Sequence, residues 1–318
     1  MKRSLRSFKR RYMTRRTIDA PKTALFWWGS DGFAGGPTIG DVMAVENLSS
    51  SLATAGIPNA IVSHPELDLT GHLWADDIYA IKRVERLVFV CGPITDNRNL
   101  RDLLTSQRSA KKIAVGVSVL PNHERMNRRF DRIVARDGLQ DSYFDLAPAT
   151  AAVPRYDPSF SRVGLCLRGP QSEYGRSRPE QSAKAAEIFA QLLPGRDVIE
   201  IDTVLSPTNS MKSISDAFAS CDLVLTTRMH GGLLALAAGK PVIAIDQISG
   251  GAKVSAVLGR TGWPYVFEAQ AVRADIIAQA MTELTTSAAR EQIATSQRTM
   301  VELTRQALAA GVEAVKLL

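Results

Sequence analysis

Residues 221–246 read Cys-Asp-Leu-Val-Leu-Thr-Thr-Arg-Met-His-Gly-Gly-Leu-Leu-Ala-Leu-Ala-Ala-Gly-Lys-Pro-Val-Ile-Ala-Ile-Asp, and this stretch decides the fold. Residues 222–226 form a short apolar run of the kind that makes a strand buried on both faces. From Met229 the Leu and Ala residues recur at helical spacing until Gly239 stops them. Residues 241–245 then open a second apolar run. Strand, helix and strand in so short a span make a βαβ unit, and βαβ units build parallel sheets.

The same alternation extends outward in both directions. Upstream, strands are expected at 23–28, 59–62, 85–91, 111–117 and 132–135, with helices at 41–55, 96–106 and 122–130. The second half repeats the architecture without repeating the sequence: strands at 162–167, 197–201, 222–226 and 241–245, helices at 179–193, 211–220 and 229–238. Residues 147–159 are polar and bear three prolines, Pro148, Pro154 and Pro158, which marks a linker. The expected class is therefore α/β, with two doubly wound, Rossmann-like domains facing a cleft. Residues 1–20 are a basic arm, 21–150 the N-terminal domain and 151–318 the C-terminal domain. After Val266 the chain is expected to be Ala-rich and helical, its last helix packing back on the first domain. Ligands of such sheets collect beyond the carboxyl ends of the strands, which makes those ends the place to search.

Composition excludes several classes. The chain has 318 residues, 45% of them hydrophobic and 22% charged, values that argue against a disordered, collagen-like or coiled-coil protein. No apolar run approaches the roughly 18 residues needed to span a bilayer. The net charge of +7 is concentrated: residues 1–18 hold eight Lys and Arg and no acid, leaving 31 basic against 32 acidic residues elsewhere. Basicity confined to a detachable arm argues against nucleic-acid binding. The arm lacks the apolar segment of a secretory signal. It reads first as a solvated tail and second as an electrostatic attachment to an anionic membrane, though its Arg-rich, acid-free composition also describes a mitochondrial presequence. Cys91, Cys166 and Cys221 lie in or beside apolar runs with no CxxC, as buried thiols of a reducing compartment do. The four histidines show no metal-ligand spacing and there is no Asp-x-Asp triplet, so no metal site is expected.

Chemistry concentrates where the strand at 222–226 meets the following helix. A helix start offers unpaired N–H groups and a positive dipole, Thr226 or Thr227 can cap it, and Arg228 adds a planar guanidinium. Together they suit a phosphate or carboxylate, and His230 supplies a group that exchanges a proton near neutral pH. Two costly polar side chains between a buried strand and a buried helix favour function over packing. One βα unit later, Gly250-Gly251-Ala252-Lys253 permits close backbone approach and provides a point charge. Arg168, at the end of another strand, is a further anion-binding candidate. In the first half, the loop containing Gly35, Gly36 and Gly40 ends at Asp41, which is placed to be a helix cap, a binder of an acceptor hydroxyl or a base. The loop has neither GxGxxG nor GxxxxGK[ST].

Thr227-Arg228-Met229-His230, the Ala-Gly-Lys-Pro-Val-Ile run and Lys253 resemble the polysaccharide pyruvyl transferase family, with its Arg-x-His element, Gly-x-Pro strand and downstream Lys. Gly36-Pro37-Thr38-Ile39-Gly40-Asp41 is similar to that family's Gly-Asn-x-Gly-Asp loop, with Thr38 in place of Asn, and residues 132–137 to its strand ending in Arg-Asp. The family's Gly-Gly-Gly turn is Cys91-Gly92-Pro93 here. The resemblance implies a glycosyltransferase-B-like fold that moves the enolpyruvyl group of phosphoenolpyruvate onto a sugar of a polysaccharide or its lipid-linked precursor, leaving a pyruvate ketal and releasing phosphate. It implies no cofactor and no metal, phosphoenolpyruvate being a co-substrate. Arg228, Lys253, Arg168, Thr227 and Gly231 fall on the donor side, Gly36, Gly40 and Asp41 on the acceptor side. His230 is the general acid or assists the leaving phosphate, and Asp41 is the acceptor base.

Two other readings are a nucleotide-sugar glycosyltransferase and a non-catalytic binding homologue whose acceptor loop has changed. Against the first, residues 229–245 contain no acid to grip a donor ribose. The location expected is cytoplasmic, with the arm at the inner membrane face. If the arm makes that contact, deleting residues 1–18 lowers sedimentation of the protein with anionic vesicles at low salt; undiminished sedimentation assigns the arm no membrane role.

Overall fold

A computed structural model of the chain describes residues 22–31, 36–67, 69–74, 84–171, 178–206 and 208–318. The basic arm and Gly35 lie outside the described residues. Two compact units are present. One comprises the described residues up to Ala147 together with Gln306–Leu318; the other is Pro148–Arg305.

In the first unit, strand β1 (Thr23–Trp27) leads through a short 3-10 turn and the glycine loop into helix α1 (Ile39–Thr54) and β2 (Asn59–Ser63). There follow β3 (Leu73–Trp74), β4 (Arg86–Val90), β5 (Pro93–Ile94), helix α2 (Arg98–Ser106), β6 (Lys111–Val119), helix α3 (Glu124–Asn127) and β7 (Arg132–Asp137). The sheet runs β3-β2-β1-β4-β6, with both β5 and β7 paired to β6, and every pairing is parallel. All five residues of β1 are buried, as in a sheet covered on both faces. Phe26, Phe89, Ala114, Val117 and Leu103 form its core on one side. Two expectations are corrected. The first helix begins at Ile39, two residues before Asp41, because Thr38 takes the capping position. The helix expected at 122–130 shrinks to one 3-10 turn and α3, since the chain must turn by Phe130 to enter β7. The two-residue strands β3 and β5 are too short for periodicity to reveal.

The second unit contains β8 (Arg162–Cys166), α4 (Ser182–Ala190), β9 (Asp197–Glu200), α5 (Met211–Ser220), β10 (Leu223–Thr226), α6 (Met229–Ala237) and β11 (Val242–Asp246). A π-helical turn (Val254–Leu258), β12 (Val266–Glu268), α7 (Ala274–Leu284) and α8 (Ala288–Lys316) complete the chain. Its sheet is also wholly parallel, in the order β12-β11-β10-β8-β9. Helix does not begin at Val266 as expected: residues 266–268 first pair with β11, Ala244 opposite Val266. The five-residue π-turn accommodates an extra residue per turn, a local irregularity that is common beside functional sites. The end of α8 from Gln306 belongs to the first unit.

The first unit also encloses a charged cluster. Arg136 on β7 donates from Nε to Asp137 at 3.0 Å, from Nη1 to Asp145 at 2.9 Å and from Nη2 to Ser118 Oγ at 2.7 Å. Ser118 Oγ donates to Asp137 at 2.8 Å, and Asp145 accepts the Ala147 N–H at 2.8 Å. Burial opposes the charge of Arg136, yet Asp137 and Asp145 hold its guanidinium well above the ordinary value. The cluster, with Asn47 Nδ2 donating to the carbonyls of Leu146 and Ala147 at 2.8 and 3.0 Å, fastens the last stretch of this unit to β6, β7 and α1. Arg136→Leu strands both carboxylates in the interior, and urea unfolding is expected to show a loss of about 3–5 kcal/mol; a loss below ~1 kcal/mol would mean that water reaches them.

Candidate functional site

The second sheet reverses direction between β8 and β10. The chain leaves β8 toward β9 on one side and returns as β10 on the other, so the crevice beyond the ends of these two strands is the topological switch point, where open α/β sheets bind ligands. Residues 166–168 and 226–228 meet there. Thr226 Oγ1 donates to the Cys166 carbonyl at 2.7 Å and accepts the Arg228 N–H at 2.9 Å. Thr227 N–H donates to the Cys166 carbonyl at 3.2 Å, and Thr227 Oγ1 accepts the Arg168 N–H at 2.8 Å. Both threonine side chains are buried, so the two hydroxyls bind the strand ends together. Neither caps α6. Arg228 is its N-cap residue, with extended backbone at φ −101°, and it offers the first-turn amides no side-chain acceptor. That leaves this nine-residue helix with the positive end that anions favour.

Arg228 is anchored from behind. Its Nε donates to the Leu167 carbonyl at 2.7 Å, and its Nη2 lies 3.5 Å from Asp202 Oδ1, on the loop after β9. The Arg228 side chain is 16% exposed and that of Asp202 63%, so the pair stands at the mouth of the crevice. His230 follows in the first turn of α6, half-buried. Gly231 has a packing reason to be glycine: a Cβ there would run into Thr226 Oγ1 and come within 2.9 Å of Cys166 Sγ. Burial pushes the Cys166 thiol up to about 11, only partly offset by the Arg228 charge, which leaves it a neutral packing group.

Lys253 stands at the end of β11's following turn and precedes the π-turn. That turn depends on a residue which motif reading passed over. Asp246, the buried last residue of β11, accepts the Ile248 N–H at 3.1 Å on Oδ1, and the N–H groups of Ala252 and Ser255 at 2.6 and 2.9 Å on Oδ2. Gly250 and Gly251 between them adopt left-handed φ of 77° and 71°, which folds the chain back onto the carboxylate. Asp202 was likewise missed; nothing local in the sequence marks an acid 26 residues upstream as a partner of Arg228.

In the first unit the reversal falls between β1 and β4. The loops there carry Gly36 and, after β4, Cys91 and Gly92, all with positive φ; a Cβ on Gly92 would lie 3.5 Å from the Trp28 ring. Gly40 is buried in the first turn of α1. Asp41 is the third helical residue of a capping box whose N-cap is Thr38: Oδ2 accepts the Thr38 N–H at 2.9 Å and the Thr38 hydroxyl at 2.7 Å, and the residue is 8% exposed. Arg168, Thr227, Arg228, His230 and Gly231 thus share one strand-end region of the second unit, with Lys253 on the turn after β11; Gly36, Gly40 and Asp41 belong to the first unit. Among the described residues no group of three His, Cys, Asp or Glu side chains could hold a metal ion, and no helix is long and apolar enough to cross a membrane.

Comparison with known proteins adds two findings. Residues 161–249, which run from just before β8 to just past Gln247, match the family model of polysaccharide pyruvyl transferases. Among solved structures the chain is similar to the glycotransferase of kitacinnamycin, at 13% identity over 91% of this chain and 97% of that one, with a TM-score of 0.51. This likeness places the chain in the glycosyltransferase-B-like class of α/β folds. MurG of Acinetobacter baumannii (10% identity, 94% and 100% coverage) and Anabaena HepE in complex with UDP-glucose (12%, 93% and 100%) both have TM-scores of 0.46. No curated protein matches the chain.

An exposed ion pair is weak, so Asp202 is a mild competitor for the Arg228 guanidinium. Calorimetry with inorganic phosphate is expected to show affinity rising about two- to fivefold in Asp202→Asn; unchanged affinity would place the anion away from Arg228.

Proposed function

We propose, from the family match over residues 161–249, that the second unit binds phosphoenolpyruvate and that the chain transfers its enolpyruvyl group to a saccharide as a ketal. The observation that carries this reading is Arg228: within the matched segment, at the switch point, it is braced through Nε against the Leu167 carbonyl beside the uncapped start of α6. Such a site suits a small ligand bearing phosphate and carboxylate.

The chemistry asked of the residues is as follows. Arg228, Arg168, Lys253 and the α6 amides hold the two anionic groups of the donor and stabilise charge as it moves onto phosphate. A proton delivered to the donor's methylene carbon makes it a methyl group and leaves cationic character at C2. A sugar hydroxyl attacks C2 and loses its proton, phosphate departs with the C2–O electron pair, and a second hydroxyl closes the ketal with loss of a second proton. His230 is the group in the site that can give the first proton or protonate the leaving phosphate. Asp41, held by its cap, is left out of this scheme. A saccharide acceptor, lipid-linked or free, follows from the family's chemistry, and attachment to a membrane through the arm belongs to the same proposal.

The glycosyltransferase-B-like fold favours one competing reading, a nucleotide-sugar donor. Calorimetry decides between them. The wild type is expected to bind phosphoenolpyruvate saturably. Arg228→Ala is expected to weaken it on the order of 10- to 100-fold, the worth of a charged hydrogen-bond donor. His230→Ala is expected to bind but not to release phosphate in the presence of acceptor. Binding of UDP-sugars alone would overturn the proposal, and binding by the wild type without turnover on any acceptor would identify a non-catalytic homologue.

A further inference from the structure

Gln247 follows β11 directly and is wholly buried. Its Nε2 donates to the Gly169 carbonyl at 3.0 Å, one residue beyond Arg168. Its own carbonyl accepts the Gln181 N–H at 2.6 Å, the Ser249 N–H donates to Pro179 at 3.0 Å, and Glu180 pairs with Ile248 in an antiparallel bridge. Beside it, Asp246 organises the turn that ends at Lys253. Two adjacent residues therefore hold the turn carrying Arg168 and the turn carrying Lys253 to one another.

The amide is an expensive choice for this position. Gln247 Oε1 is buried with no hydrogen-bond partner among the described residues. Buried polar atoms are nearly always paired, and a methionine of similar length would fill the space without that desolvation penalty. What glutamine adds over methionine is the single bond from Nε2 to Gly169.

We infer that Gln247 is a positioning residue of the donor site, which sets the Arg168 turn against the Lys253 turn through the Gly169 carbonyl without touching the ligand. The inference rests on the function proposed above for the identity of the donor, and the probes are chosen to separate the two.

The experiment compares the full chain with Gln247→Met and Gln247→Glu, by thermal unfolding, hydrogen exchange, and calorimetry with inorganic phosphate and with phosphoenolpyruvate. Gln247→Met is expected to unfold at the wild-type temperature or above it, yet to bind both anions roughly tenfold more weakly. Its amides are expected to exchange faster in 168–171 and in 248–255 alike. In Gln247→Glu the ionised carboxylate cannot donate to Gly169, whereas the protonated acid can. Its deficit relative to wild type is therefore expected to shrink as pH falls from 8 to 5, while that of Gln247→Met stays constant. Wild-type affinity in Gln247→Met, or faster exchange in 168–171 alone, would overturn the inference. If the wild type binds phosphate but not phosphoenolpyruvate, the pyruvyl-transfer reading fails and Gln247 is judged on phosphate; if it binds neither, both fall.

Discussion

Two threonine hydroxyls tie the ends of β8 and β10 together, and the second unit is arranged around that tie. Thr226 accepts the amide of Arg228 and donates to Cys166; Thr227 accepts the amide of Arg168. Each bond contributes only about 1 kcal/mol net. Their weight is geometric, since all of these partners are backbone groups at the switch point, and losing a hydroxyl leaves buried N–H and C=O groups unmatched. Once the strand ends are fixed, α6 must start immediately beneath them. That is why position 231 admits only a hydrogen where a side chain would meet Thr226 and Cys166. The arginine between the threonines and the glycine has little freedom left, its Nε held by the Leu167 carbonyl and its Nη2 lying 3.5 Å from Asp202.

The first unit solves the same topological problem with different residues. Its strands part between β1 and β4, but what stands there is an indole, a left-handed Cys-Gly turn and a helix whose first acid is already engaged by Thr38. Its charged cluster sits elsewhere, on β6 and β7, where Arg136 faces two carboxylates and a serine in the interior. Such a cluster is costly to desolvate and contributes specificity of arrangement more than stability. Here it fixes the chain that leads out of the unit at Ala147. Charge is thus used structurally in one unit and placed at the strand ends in the other.

The architecture was legible because it rests on periodicity. Runs such as residues 222–226 and 241–245 are apolar throughout, and their strands are buried on both faces. Helix α5 covers the residues that periodicity predicts, and in the fold Ser210 caps it and Ser213 returns the bond. What periodicity could not reach were elements made by pairing alone. Leu73–Trp74, Pro93–Ile94 and Val266–Glu268 are strands because a neighbouring edge offers them hydrogen bonds, not because their own sequence alternates. Arg228, His230 and Thr227 could be found because costly polar side chains interrupt an apolar context. Their exact duties could not: the sequence offers two threonines as caps, and the fold gives that position to the arginine that follows them.

Asp202, Asp246 and Gln247 escaped detection for a further physical reason. Each acts on groups that are remote in the chain or belong to the backbone, and neither leaves a mark on local composition. Asp246 illustrates the consequence. Read as a formal charge beside Lys253, it would argue against an anion in this region. In the folded unit it accepts three backbone N–H groups, so its lone pairs and its field are directed into the turn that it closes. An acid that Arg228 does meet is the exposed Asp202, at 3.5 Å, where water screens it. The electrostatic character of the strand ends therefore follows from which carboxylate the backbone has already occupied, and only the folded chain decides that.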